Sequence, residues 1–136
     1  MAGNFVTLDR PSIKGVPSPP HFSNVVISEG GKLAHISGQM ATDGGQLVGE
    51  GDLAAQFAQT FANLRRVLDG LGATPDNVVR QRIFVVDLEP AHRDIVVEAM
   101  NNFYGEGKPS STLIGCQGLI IPGALVEIDL TAAVDG

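Results

Sequence analysis

The feature that restricts the fold most is a strict alternation near the C-terminus, at residues 126–131 of a segment that spans residues 125–134. Three aliphatic residues alternate there with three polar ones: Val126, Glu127, Ile128, Asp129, Leu130 and Thr131. Successive residues of a strand point to opposite faces, so this period predicts a strand with one aliphatic and one acidic face. A second strand is predicted at residues 111–117, with a turn between the two at Pro122-Gly123. The chain therefore needs a sheet with a core on one side, and its acidic side is either solvated or part of a site.

Further strands are predicted in the N-terminal and central parts of the chain. Residues 5–7 indicate a short opening strand, and residues 24–28 and 33–37 indicate a β-hairpin closed by Glu29-Gly30-Gly31-Lys32. The segment at residues 42–51 is rich in glycine and is predicted to be a loop. The aliphatic run at residues 78–86 indicates another strand.

Two helices are predicted between these strands. The first has an apolar stripe at steps of three and four: Leu53, Phe57, Phe61, Leu64, Leu68 and Leu71. Asp52 is a suitable N-cap, and Gly70 and Gly72 supply the C-terminal stop. The second helix begins at Glu89-Pro90 and ends at Gly105. The order β-β-β-α-β-α-β-β predicts an α+β domain, one mixed sheet of about six strands with two helices packed on one face.

The face of this sheet that the helices leave open is expected to be mixed in character. Counting along the strands suggests that Leu113, Gly115 and Leu125 share the face of Glu127. An apolar and acidic mixture of this kind favours burial against another subunit. Cys116 is expected to be a small buried hydrophobe in the same region.

Size and composition indicate one domain that spans residues 1–136 and builds a core without disulfides. The single cysteine fits a reducing compartment, and no apolar run approaches the roughly 20 residues needed to span a bilayer. The N-terminal residues lack the basic start and apolar stretch of a secretory signal. We therefore expect a cytoplasmic protein.

The charge balance argues against nucleic acid as a partner. Nine Lys and Arg face fifteen Asp and Glu, for a net charge of −6. Proteins that bind nucleic acid need basic side chains to neutralise phosphates. The absence of tryptophan and the single tyrosine also argue against a surface on which bases stack.

Most familiar catalytic motifs are absent from the sequence. The three histidines are too widely spaced for a zinc site, and no glycine-rich motif for nucleotide phosphates lies between a strand and a helix. A small polar set at strand ends remains: Ser37, Ser111, Thr112, Glu127 and Asp129. A carboxylate that is partly removed from water can act as a general base or hold a water molecule.

Several short motifs occur in an order that resembles the Rid family (YjgF/RidA type, also known as endoribonuclease L-PSP-like). They are HFSNVV, HISGQ, GDLAAQFAQTFANLRRVLDGLGATPDNVV, FVVDL, NNFYGE, KPSSTLIG and LVEIDLTAAV. The resemblance implies the chorismate-mutase-like α+β fold and a homotrimer with small-molecule clefts between subunits. It also implies the hydrolysis of reactive enamines and imines with release of ammonia, an enamine/imine deaminase activity without a metal or organic cofactor.

The resemblance also implies roles for individual residues. Glu127 corresponds to the family glutamate that positions the attacking water, and Ser37 to the serine of the Ser-Gly-Gln motif. Ser111 stands where the active deaminases have the arginine that binds the substrate carboxylate. The family tyrosine corresponds to Phe22 and the asparagine of the second helix to Val97. The candidate site is thus catalytic Glu127 with substrate-binding Ser37, Ser111, Leu113, Phe22 and Val97.

The serine in place of arginine leaves several functions open. A hydroxyl cannot replace a charged bidentate fork, so the binding of 2-imino acids should be weakened by several kcal/mol. The leading hypothesis is a cleft for a different metabolite, uncharged or cationic. One alternative is the ordinary deaminase, with Arg80, Arg82 or Arg93 reaching in. A second is a non-enzymatic ligand-binding or regulatory module, and ribonuclease activity comes last.

Overall fold

The structure, a computed structural model, describes residues 5–136. Residues 1–4, the start of the segment judged to lack a secretory signal, lie outside the described residues. The strands are Thr7–Asp9 (β1), Ile27–Glu29 (β2), Lys32–Gln39 (β3), Thr42–Asp43 (β4), Gln46–Leu47 (β5), Val78–Val86 (β6), Ser110–Cys116 (β7) and Val126–Val134 (β8). The helices are Leu53–Gly70 (α1) and Arg93–Phe103 (α2), with 3₁₀ turns at Pro75–Asn77 and Pro90–His92.

The main sheet has four strands in the order β3-β8-β6-β7. β8 is antiparallel to both of its neighbours, whereas β7 runs parallel to β6. A parallel neighbour requires a crossover connection, and α2 supplies it. β7 and β8, although consecutive in the chain, therefore do not pair with each other but lie on either side of β6. The predicted α+β fold with a mixed sheet is confirmed.

The strands outside this sheet form two small ribbons, β1 with β2 and β4 with β5. The main sheet accordingly has four strands rather than about six. The glycine-rich segment predicted to be a loop contains the short β4–β5 ribbon.

The predicted hairpin of residues 24–28 and 33–37 is wrong. β2 pairs with β1, and β3 pairs with β8. Gly30 and Gly31 have φ values of +79° and +71° and lie against the backbone of Phe5 and Val134, where any side chain would collide. The two glycines therefore turn the chain from the ribbon into the sheet instead of closing a hairpin.

The core lies between the main sheet and the two helices. The buried stripe of α1 comprises Phe57, Phe61, Leu64 and Leu68, as predicted. From the sheet, every second residue of β6 and β8 meets this stripe: Ile83, Val85, Val126, Ile128 and Leu130. Burial of each such side chain contributes about 1.5–3 kcal/mol.

The ends of α1 follow from its sequence. The Asp52 side chain accepts a hydrogen bond from the backbone N–H of Ala55, so the predicted N-cap is confirmed. Leu71 was expected in the apolar stripe but lies just beyond the last helical residue, 45% exposed. No helix within residues 5–136 is long and apolar enough to cross a membrane.

The open face of the sheet carries the polar residues of β6 and β8, but not Leu113 or Gly115. In the parallel register Leu113 lies beside Ile83, and Gly115 lies beside Val85. Ile83 and Val85 are buried on the helix side of the sheet. The expectation that they share the face of Glu127 is therefore wrong. Counting within one strand cannot fix this parity, because the register between separate strands sets it.

Candidate functional site

The Glu127 side chain lies against the glycine of the Ser-Gly-Gln motif. Between Ile36 and Gln39, β3 advances three residues while β8 advances two, so the antiparallel register shifts at a bulge. A Cβ atom added to Gly38 in this bulge would lie 2.7 Å from both Cδ and Oε2 of Glu127. Bulges redirect side chains, and here the bulge leaves room for the carboxylate because residue 38 has no side chain.

The charge of Glu127 has no basic partner in the part of its own chain that the structure describes. Glu127 is half-buried and lies beside Phe84 of β6 in the antiparallel register. Within residues 5–136, no salt bridge of 4.0 Å or less reaches its carboxylate. The carboxylate is therefore available to a ligand, a water molecule or a second chain.

Arg82, the arginine of β6 that lies nearest to Glu127 in the strand register, binds Asp129 instead. Arg82 donates through Nη2 to Oδ2 of Asp129 at 2.6 Å and through Nε to Oδ2 at 3.0 Å. This hydrogen-bonded carboxylate raises the pKa of Arg82. The guanidinium carbon also lies 5.7 Å from the centre of the Phe84 ring.

The other two arginines considered from sequence are also engaged. Arg80 donates from Nη2 to Oγ1 of Thr112 at 3.2 Å. Arg93 begins α2, on the opposite side of the sheet from Glu127, and its Nη1 lies 3.7 Å from Asp94. Among the described residues, none of these three guanidinium groups forms a salt bridge with Glu127.

A polar hollow lies on the open face around Asp129, which is two residues along β8 from Glu127. It is lined mainly by the side chains of His35, Ser37, Arg80, Arg82, Asp129 and Thr131. Nδ1 of His35 lies 3.2 Å from Oγ1 of Thr131. Ser37, next to Gly38 in the bulge, thus joins Glu127 on this side of the sheet.

Ser111 and Leu113 lie on the helix side, at the edge strand β7. Ser111 Oγ accepts a hydrogen bond of 3.1 Å from Nε2 of Gln81. The hydroxyl of Tyr104 donates to Oε1 of the same glutamine at 2.7 Å. Burial raises the pKa of Tyr104 well above its ordinary value. Leu113 follows two residues after Ser111 and is 40% exposed.

Phe22 and Val97 also lie on the helix side. Phe22 packs against the core, in a segment held beside β7 because Ser23 donates from its backbone N–H to Pro109 at 2.8 Å. Val97 is half-buried in α2. The structure therefore divides the six candidates into Glu127 with Ser37 on one side, and Phe22, Val97, Ser111 and Leu113 on the other.

Two buried glutamines were missed in the sequence. Gln81 alternates with Ile83 and Val85 along β6, and Gln56 lies next to Phe57 in the apolar stripe of α1. Both side chains are fully buried. The available signal was a polar residue at an inward position, where a hydrogen-bond partner is required.

Two further observations concern other kinds of site. A hollow of about 460 Å³ lies between α1 and α2, lined mostly by alanine, isoleucine and phenylalanine, with Arg65 over the ring of Phe103. Among residues 5–136, no group of three or more His, Cys, Asp or Glu is placed to hold a metal ion.

The chain is similar to known proteins over most of its length. The family model described as Endoribonuclease L-PSP matches residues 16–134. A solved structure of YyfB, a Rid-family protein of unknown function from Yersinia pestis, is 39% identical, with a TM-score of 0.89 over 93% of this chain and 98% of that one. A YjgF/YER057c/UK114 family member from Mycobacterium tuberculosis is 29% identical, with a TM-score of 0.64 over 83% and 86%. RidA from an Antarctic Psychrobacter species is 23% identical, with a TM-score of 0.69 over 91% and 93%, and shows the same fold.

Proposed function

The chain belongs to the endoribonuclease L-PSP family, the family of the Rid/YjgF proteins, and from this membership we propose a homotrimer with small-molecule clefts between subunits. The family resemblance inferred from the sequence motifs is thereby confirmed. One observation carries the proposal: Glu127 and Ser111 lie on opposite sides of their own sheet. A single chain cannot bring them to one ligand, whereas a cleft between two copies can join Glu127 of one to Ser111 of the next.

The ligand we propose is uncharged or cationic. A carboxylate in the cleft would meet the carboxylate of Glu127 and, at position 111, a neutral hydroxyl instead of a guanidinium. Two hydrogen bonds to a charged group contribute about 3–6 kcal/mol together, so their loss weakens carboxylate binding by roughly 10²–10⁴-fold. The protein is therefore proposed to lack ordinary 2-imino acid deaminase activity.

Glu127 is proposed to orient a water molecule in this cleft. A carboxylate that accepts a proton from water as the water oxygen attacks a C=N carbon acts as a general base. The electron pair of the C=N bond moves to nitrogen, which takes up the proton that the carboxylate accepted. The resulting carbinolamine then breaks its C–N bond, expels ammonia with the hydroxyl proton and leaves a carbonyl group. The freedom of Glu127 from any basic partner within residues 5–136 supports this role, because an ion-paired carboxylate is a weaker base.

The first experiment measures assembly. Light scattering coupled to gel filtration should give three times the chain mass of 14.2 kDa. A monomer at micromolar concentration would overturn the proposal, since its cleft would be incomplete.

The second experiment measures imine hydrolysis. An amino-acid oxidase generates 2-iminobutyrate in solution, and trapping with semicarbazide reports its decay. We expect little acceleration by the wild type and a gain of activity in Ser111→Arg, which restores the missing cation. Glu127→Gln in the Ser111→Arg background should remove that gain.

Other outcomes of the second experiment identify the alternatives. Strong activity of the wild type that Glu127→Gln abolishes would establish the ordinary deaminase instead. Ligand binding without hydrolysis of any imine, charged or neutral, would indicate a regulatory module.

A further inference from the structure

A buried hydrogen-bonded chain leads from the core to the proposed ligand cleft. It runs from the Tyr104 hydroxyl to Oε1 of Gln81 at 2.7 Å, and from Nε2 of Gln81 to Oγ of Ser111 at 3.1 Å. Gln81 is 0% exposed and Tyr104 2%. The Gln81 amide therefore has no water with which to exchange partners. Its Oε1 meets Tyr104 and its Nε2 meets Ser111.

This chain of hydrogen bonds limits which hydrogen bonds the Ser111 hydroxyl can make to a ligand. A serine hydroxyl has one proton to donate and two lone pairs to accept. Gln81 donates to one lone pair, so the proton of Ser111 is directed to a partner other than Gln81.

The neighbouring hydroxyls of β7 lie on the open face of the sheet, opposite Ser111. Ser110 donates to the carbonyl of Val79 at 3.1 Å, and Thr112 accepts from Arg80. Leu113, half-exposed, adds an apolar surface beside Ser111. On the helix side, β7 thus presents one neutral hydroxyl, that of Ser111, next to an aliphatic side chain.

We propose that Gln81 is a positioning residue that holds the Ser111 hydroxyl as a donor and selects ligands with a neutral acceptor, such as an amide carbonyl, beside a short alkyl group. The inference rests on the proposed function, because it takes Ser111 as one wall of the cleft. A single neutral donor does not compensate a carboxylate for its lost hydration, whereas it matches the one acceptor that a carbonyl loses to desolvation.

Pyruvamide and pyruvate are suitable probes, because they have the same size and differ in charge. Their dissociation constants are measured by calorimetry on the purified full-length protein at one pH. We expect the wild type to bind pyruvamide about tenfold more tightly than pyruvate. Ser111→Ala and Gln81→Leu should each weaken pyruvamide binding about fivefold, the effect of one neutral hydrogen bond, and leave pyruvate binding unchanged.

The double variant separates positioning from a general structural role. If Gln81 acts through Ser111, then Gln81→Leu combined with Ser111→Ala binds pyruvamide as weakly as Ser111→Ala alone. Additive losses, or equal losses for both probes, would show that Gln81 is merely structural. Ser111→Thr retains a hydroxyl and should retain the preference for pyruvamide.

Folding is controlled with a matched substitution, because Gln81→Leu removes the buried partner of the Tyr104 hydroxyl. Gln81→Leu with Tyr104→Phe removes both buried polar groups and leaves only the part-exposed Ser111 hydroxyl without its partner, and it should bind as Gln81→Leu does. Equal affinities for the two probes in the wild type, or no binding of either, would overturn the inference. If the wild type is a trimer that binds both probes equally and Glu127→Gln abolishes that binding, the proposed function survives the failure of this inference. A monomer whose probe binding does not depend on Glu127 would overturn both.

Discussion

Gln56 provides a sharp test of how the polar core supports the candidate site. Its Nε2 donates to the carbonyls of Gly49 at 3.1 Å and Gly123 at 3.0 Å, and its Oε1 accepts from the backbone N–H of Leu125 at 2.7 Å. These bonds tie α1 to the turn that enters β8, two residues before Glu127. Gln56→Leu keeps the side-chain volume and removes all three bonds.

The expected loss follows from the number of bonds. A typical internal hydrogen bond contributes about 1 kcal/mol net, so Gln56→Leu should lower the free energy of unfolding by about 3 kcal/mol. The three backbone partners lie in part-buried surroundings, where water replaces the lost bonds only incompletely. The loss should be accompanied by weaker ligand binding in the cleft proposed at Glu127, because the start of β8 is no longer anchored.

Urea unfolding at one fixed protein concentration measures this change, since the stability of an oligomer depends on concentration. Gln46→Leu, the same substitution at an exposed position of β5, is the matched control and should change stability by no more than about 0.5 kcal/mol. A loss below about 1 kcal/mol for Gln56→Leu would refute the reasoning.

Gln56→Glu distinguishes hydrogen bonding from packing. A carboxylate at this position would face the carbonyls of Gly49 and Gly123, so its pKa in the folded state should be raised. Stability should then be lowest at neutral pH and recover as the pH falls, because the protonated acid again donates to a carbonyl. A loss that is independent of pH would contradict this account.

Three further predictions concern the site and its surroundings. Gly38→Ala should abolish binding or activity that depends on Glu127, with only a small change in stability, because the new Cβ would lie 2.7 Å from the Glu127 carboxylate. Gly118→Ala is the control, because a Cβ at residue 118 would have no atom within 4 Å. Equal effects of the two substitutions would contradict the close fit. Burial, followed by the charges of Arg93 and Lys108, lowers the pKa of His21. Stability should therefore be greatest above the ordinary histidine pKa of about 6.5 and should fall as the pH drops. Denaturation midpoints of the wild type and His21→Gln between about pH 5 and 8 test this dependence. Burial raises the pKa of Tyr104, so the contribution of its protonated hydroxyl to stability should be complete below about pH 10 and lost at higher pH. In the same denaturation measurement, Tyr104→Phe should lose less stability than the wild type as the pH rises above about 10.

The sequence alone determined the elements whose patterns are local. The stripe of α1, its Asp52 cap, the strand at residues 78–86 and the two faces of β8 were all predicted, because each depends on spacing within one segment. The order of the short motifs along the chain identified the family. For the candidate site, sequence marked Glu127 and Ser37 but could not say that Gly38 leaves the space for the carboxylate.

The tertiary structure decided which faces and edges meet. β7 joins the outer side of β6 in a parallel register, which puts Ser111 and Leu113 on the helix side and away from Glu127. Gly30-Gly31 turns β2 away from β3, although the local sequence is typical of a hairpin. The partners of Gln56 and Gln81 also come from distant parts of the chain. Periodicity shows the two faces of one strand, whereas pairing between distant strands is set by how the whole core packs. Only that packing reveals that the two groups of candidate residues lie on opposite sides of one sheet.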